Sequence, residues 1–170
     1  MLFEHSYINI CLSTTVCSFV GNDGDGSLLE WKTLAHNLLL DDNCIFHGAM
    51  HGNKLNDIFN ICDLGIGGLG LYRKKLYSAQ ILKLREYMAR GLPFVYVHND
   101  ESVKSGLPFC LQIANDASIP DMKMIIDFAM EMKKEPEMIS VQMHNYAFEQ
   151  MSWKKTFEVI MNALDGGASD

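Results

Sequence analysis

The sequence predicts an α/β fold, a single Rossmann-like domain with a parallel sheet flanked by helices and extra helices at the C-terminal end. Three observations carry that prediction. Short β-branched and aromatic runs alternate with amphipathic stretches of about 10–15 residues, the pattern of βαβ units. Each apolar run closes on a loop rich in Gly, Asn or Asp. The chain has 170 residues, 48% of them hydrophobic and 21% charged, which suits one buried core. No internal repeat or low-complexity linker divides it.

Residues Tyr7 to Val20 form the first apolar run, read as a strand and closed by the turn residues Gly21 to Gly26. Ser27 opens a helix, with Glu30 completing a capping box and Leu28, Leu29, Trp31, Leu34, Ala35 and Leu38 at helical spacing. Asp41 to Asn43 form a turn, and Cys44 to His47 a short strand closed by Gly48. Asn53 caps a short helix through Leu55, Ile58, Phe59 and Ile61. Leu64 to Gly67 reads as a strand, followed by a glycine-rich loop. Ala79 to Arg90 is helical, with Gly91 as its C-cap. Pro93 to Val97 is a buried strand, His98 to Leu107 a polar loop, and Phe109 to Ile113 a further strand. Pro120 opens a helix through Met132, and Pro136 opens the next, which ends near Met151. Ser152 caps a last helix, Trp153 to Leu164. The domain is assigned to residues 1–165, with 166–170 a frayed tail.

The formal net charge is −7, which excludes a broadly basic surface for nucleic acid. No apolar stretch approaches the ~18–20 residues of a membrane span. The longest candidate, Ile8 to Val20, is broken by Asn9, Ser13, Thr14, Thr15 and Ser18. The opening MLFEHSY holds an acid and no Lys or Arg, unlike the n-region of a signal peptide. The five cysteines include no C-x-x-C pair, and Cys44, Cys62 and Cys110 lie inside apolar runs. They read as small buried hydrophobes in a reducing compartment, so a cytoplasmic location is expected. His47 and His51 stand four apart, but Gly48 and Gly52 follow them and disfavour a shared helical face. No metal site is expected.

Ligands of doubly wound sheets bind at the carboxyl ends of the strands. That directs attention to the loops after Val20, His47, Gly67 and Val97. Gly21, Gly24 and Gly26 give G-x-x-G-x-G rather than G-x-G-x-x-G, and no Gly-Lys-Ser/Thr follows. This excludes the dinucleotide fingerprint and the P-loop. Asp23 and Asp25 would also repel a phosphate, so the segment reads as a strand-to-helix turn. The loop from Gly65 to Lys75 joins four glycines to Arg73, Lys74 and Lys75. It fits either an anionic ligand such as a diphosphate or a solvated surface loop. The helix after it offers amino-terminal amides near Gln80 to Lys83. Lys83 lies on its first turn and Glu86 three residues on, both leaning toward a ligand held there. A carboxylate at Glu86 suits ribose hydroxyls rather than phosphate. Its competing reading is an exposed pair with Arg90, worth ~0.3–0.5 kcal/mol.

The string C-D-L-G-I-G-G-L-G-L-Y-R (62–73), followed by L-K-L-R-E-Y-M-A-R-G-L-P-F-V (82–95), resembles the C-terminal domain of GT-B glycosyltransferases of the retaining group-1, or family-4, type. Weaker pieces agree: V-G-N-D-G-D-G-S-L-L-E-W-K-T-L-A, D-N-C-I-F-H-G-A-M, L-N-D-I-F-N-I-C-D and M-S-W-K-K-T-F. The resemblance runs from about Ile8 to Leu164. It implies half of a GT-B fold and a UDP- or GDP-sugar as donor substrate, with no cofactor. Ile81, Leu82 and Lys83 would present amides to the diphosphate, Glu86 would bind the ribose, and His47 and Gly48 would lie by the base. Gly68, Gly70 and Arg73 would sit beside the donor. Ser78 falls where the family has the first glutamate of its E-x7-E motif, which touches the sugar. Ser78 and Arg73 are therefore the catalytic candidates, and Ser78 brings no charge. The family also implies an N-terminal acceptor-binding domain, here expected to be missing or supplied by a separate subunit. Membrane contact would be peripheral and through that half. The alternative is a non-catalytic α/β interaction module.

Overall fold

The computed structural model describes residues 7–11, 16–24 and 26–166. The first apolar run holds two strands where one was expected: β1 (Tyr7–Cys11) and β2 (Val16–Val20). They pair antiparallel, with Tyr7 opposite Val20 and Cys11 opposite Val16. The cause is length, since a single strand over the whole run would far exceed the usual 5–6 residues. Four more strands follow: β3 (Cys44–Gly48), β4 (Leu64–Ile66), β5 (Phe94–Tyr96) and β6 (Cys110–Gln112).

These form one six-stranded sheet in the order β3-β2-β1-β4-β5-β6. The pairs β2–β3, β4–β5 and β5–β6 are parallel, as the alternation of strands and helices predicts. β1 runs antiparallel to both of its neighbours, a departure from the all-parallel expectation.

The described residues hold six α-helices: α1 (Leu28–Asn37), α2 (Asn53–Ile61), α3 (Leu82–Arg90), α4 (Met122–Met132), α5 (Pro136–Gln150) and α6 (Trp153–Gly166). Their starts refine the sequence reading. Ser27 makes no side-chain cap bond, because its backbone is already helical (φ −82, ψ −8) where a capping residue needs an extended one. Asp23 serves instead, accepting from the Leu28 N–H at 3.1 Å. Gly52, not Asn53, is the N-cap of α2, at φ 57. α3 starts at Leu82 rather than Ala79, because residues 77–79 run extended beside the segment after β5. There the Asn99 N–H donates to the Tyr77 carbonyl (2.8 Å) and the Ala79 N–H to the Asn99 carbonyl (3.0 Å). Asp121 caps α4 by accepting from the Met124 N–H, and Pro136 opens α5. Ser152 Oγ accepts from the Lys155 N–H at 3.4 Å. α6 runs on to Gly166, past the expected end at Leu164, and the tail 167–170 lies outside the described residues.

The core has two parts, one on each face. On one face Phe59 of α2 and Leu84, Tyr87 and Met88 of α3 pack on Val20, Phe94 and Tyr96, with Ile139 and Met143 of α5 behind them. On the other, Ile125 and Ala129 of α4 cover Leu64, Ile66 and Val95, joined by Ile8 and Ile10. Tyr87 ties α3 to the middle of the sheet. Its ring lies over Gly65, where an added Cβ would come within 2.8 Å. Its hydroxyl is shared between the Ile8 and Ile66 carbonyls at 3.3 and 3.2 Å. Gly91 closes α3 at φ +69, and a Cβ there would meet Ser140 Oγ of α5 at 2.2 Å. α1 is held far less: Ala35 is its buried residue, while Leu29 and Leu38 are 75% and 58% exposed.

Candidate functional site

β2, β3, β4 and β5 run in one direction, so their carboxyl ends share one edge of the sheet. The loops singled out from the sequence therefore gather on that edge. The Gly21 N–H donates to the Gly48 carbonyl at 2.9 Å and joins the first two.

The glycines after β4 divide into two kinds. A Cβ on Gly67 would press on the Val95 carbonyl at 3.0 Å and on Leu84, so Gly67 serves packing. Gly68 would make only an ordinary contact with Leu71, and Gly70 faces open space. These two leave backbone open to a ligand. Arg73 follows in a short 3-10 turn, Leu71–Lys74. It is exposed, and its Nε donates to the Tyr72 hydroxyl at 3.1 Å, which raises its pKa. Ser78 is exposed and its backbone is bridged to Asn99.

At the amino end of α3 the expected amides are brought together, but one is engaged. The Ile81 N–H donates to Asp100 Oδ2 at 3.4 Å. Leu82 is exposed beside it. Lys83 is partly buried, and loss of water around its ammonium pulls its pKa down to about 8. Glu86 Oε1 accepts from Arg90 Nε at 2.9 Å and lies 2.8 Å from Nη2. Arg90 also donates to Asn56 Oδ1 (2.9 Å) and lies 4.1 Å from the centre of the Phe59 ring. The pair that competed with the ribose role is thus formed, and it ties α3 to α2.

His47 is turned back onto the sheet. Its Nε2 shares a hydrogen bond with Ser18 Oγ at 3.2 Å, and burial lowers its pKa. Gly48 adopts φ +70 with open space beside it, a conformation that favours glycine.

Two further groups stand at this edge on the loop after Val97, and no motif or spacing singles them out. His98 is fully buried, and neither ring nitrogen has a hydrogen-bond partner among the described residues. Its Nε2 stands 3.8 Å from Asp100 Oδ2. Asp100 is buried too, and its Oδ1 accepts from the Ser102 N–H (2.9 Å) and hydroxyl (2.5 Å). Burial disfavours its charge, but His98 and the bonds from Ser102 and Ile81 outweigh that and hold its pKa below the usual value. The signal available was the run His-Asn-Asp directly after an apolar strand.

Cys17, Cys44, Cys62 and Cys110 are not poised for nucleophilic work, since burial raises the pKa of each thiol. Burial pushes the Cys17 thiol up to about 11 and the Cys62 thiol to about 12, so both stay protonated at neutral pH. Among the described residues no group of three or more His, Cys, Asp or Glu could hold a metal ion. No described helix is long and apolar enough to cross a membrane.

No protein-family model and no curated protein matches the chain. Among solved structures it is similar to Anabaena HepE, crystallised in complex with UDP, with a TM-score of 0.63 and 17% identity. The match covers 86% of this chain and 40% of that one, so this chain spans well under half the length of HepE. At that identity the likeness establishes the α/β, Rossmann-like fold.

Proposed function

We propose that this chain is the donor-nucleotide-binding part of a retaining glycosyltransferase. The reaction would move a sugar from UDP or GDP to a glycan or lipid-linked acceptor. The observation that carries the reading is the amino end of α3. It opens on the strand-carboxyl edge with Leu82 exposed, Lys83 on its first turn and the open glycines Gly68 and Gly70 on the loop before it. Amides, a helix dipole and a lysine suit a diphosphate. The likeness in fold to a protein crystallised with UDP supports the same reading.

In this reading Leu82 and Lys83 stabilise the departing diphosphate. Glu86 leaves Arg90 to accept from ribose hydroxyls, and so orients the donor rather than transferring a proton. Ser78 and Arg73 lie toward the sugar, and Gly48 and His47 toward the base. Residues 1–165 form the donor half, and an acceptor domain or separate subunit supplies the opposite wall. The chain alone binds nucleotide and does not transfer sugar. Titration with UDP and GDP by calorimetry tests this. Glu86→Ala is expected to weaken binding about ten-fold, or ~1.4 kcal/mol. Unchanged affinity removes the role assigned to Glu86, and no affinity for either nucleotide removes the reading.

A non-catalytic interaction module is the second reading. The exposed apolar side chains of α1 and α6, among them Trp31, Leu34, Trp153 and Phe157, favour it. A stable complex with another chain, without nucleotide affinity, would select it.

A further inference from the structure

The amino end of α3 already holds an anion of its own. Asp100 reaches it from the loop after β5 and takes the Ile81 N–H, the first of the three amides expected to face a diphosphate. The two carboxylate oxygens do different things. Oδ1 is anchored within its own loop by the Ser102 N–H and hydroxyl. Oδ2 is the oxygen that meets the helix, at the longer distance of 3.4 Å.

A second observation marks the place as one made for a ligand. His98, 0% exposed, has both ring nitrogens without a hydrogen-bond partner among the described residues, and Nε2 is aimed at Oδ2 from 3.8 Å. A buried imidazole with neither nitrogen bonded is costly. A phosphate oxygen within reach of Nε2 would satisfy that nitrogen.

We propose that Asp100 is a built-in competitor for the anion position at the amino end of α3, and that it sets how tightly this end holds a diphosphate. The proposal rests on the nucleotide reading of that end. A phosphate and the Asp100 carboxylate cannot share the Ile81 N–H, because two anions at one donor repel. Binding therefore requires the carboxylate to swing off Ile81 while its Oδ1 stays on Ser102. His98 is the donor left facing the space that Oδ2 vacates.

The experiment titrates the full chain with inorganic pyrophosphate and, separately, with UDP, following the amide resonances of Ile81, Leu82 and Lys83. Asp100→Asn removes the competing charge with little change of shape, and is expected to tighten both ligands at least about five-fold. Asp100→Ala removes the carboxylate altogether and is expected to tighten them by a similar factor; it carries the test if Asp100→Asn does not fold. Pyrophosphate affinity unchanged or weakened in the folded variants overturns the proposal. If pyrophosphate binds at these amides, tightens as expected, and UDP does not bind, Asp100 is the competitor and the nucleotide-sugar reading falls. If neither ligand binds any of the three proteins, both fall.

Discussion

The two halves of the sheet, on either side of β1, are built differently. On one side, the unit β4–α3–β5 is fitted atom to atom: Leu84, Tyr87, Met88, Phe94 and Val95 are all fully buried. Gly65, Gly67 and Gly91 are glycine because a methyl group would strike Tyr87, Val95 or Ser140. On the other side, α1 between β2 and β3 buries Ala35 and leaves Trp31 and Leu34 half exposed. The difference bears on function. The groups proposed to hold the diphosphate stand on the tightly packed side. Those proposed to lie by the base, His47 and Gly48, stand on the loosely packed side.

The largest expected effect would break this contrast if it failed. Gly65→Ala should cost about 1–3 kcal/mol, the usual cost of overpacking, since its Cβ would enter the Tyr87 ring. Leu34→Gln on α1 should stay within about 0.5 kcal/mol. Urea unfolding of both variants gives the comparison directly, and equal costs would show that α1 is as well held as α3.

A smaller effect is expected at the seam between the two sides. Asn9 on β1 is fully buried beside Ser18 and Gly65, and neither polar atom of its side chain has a hydrogen-bond partner among the described residues. Asn9→Val should therefore raise stability by about 1 kcal/mol, because it removes an unsatisfied amide and suits a strand. Loss of stability in the same urea measurement would mean that Asn9 holds something that matters to the fold.

The smallest effect on ligand affinity concerns pH. Lys83 has a pKa of about 8 in the folded chain, against 10.5 ordinarily. Between those values the unfolded chain carries the proton and the folded chain does not, so stability rises from about pH 8 to 10.5. Below pH 8 the charged lysine is held in a poorly hydrated site and this contribution is absent. Affinity for a diphosphate runs the other way and should fall about three-fold as pH passes through 8, in line with one partly screened charge contact. Lys83→Met should flatten both trends, and calorimetry at pH 7 and 9 checks it.

The element pattern was legible because it rests on local chemistry: alternation within strands, helical spacing, Gly91 as a C-cap and Pro136 at a helix start. The strand-carboxyl edge followed from that pattern. What was not legible depends on partners distant in sequence. The place of β1 in the sheet is set by β4, far along the sequence, which pairs with Ile8 to Ile10. The late start of α3 is set by Asn99, whose backbone holds residues 77–79 extended. The engagement of Ile81 by Asp100 spans 19 residues, and no periodicity reports it. By sequence Glu86 suits either a ribose or Arg90, and in the unliganded chain it pairs with Arg90.

The contact of Gly91 with Ser140 has a consequence at the far end of the same helix. α3 is clamped at its carboxyl end by α5 and along its length by Leu84, Tyr87 and Met88, all fully buried, so its axis does not depend on the Asp100 bond. The amides at its start are thus aimed before any ligand arrives. A diphosphate that displaces Asp100 would meet donors that need no reorientation, and the ordering entropy that a loop would lose on binding has already been spent in folding.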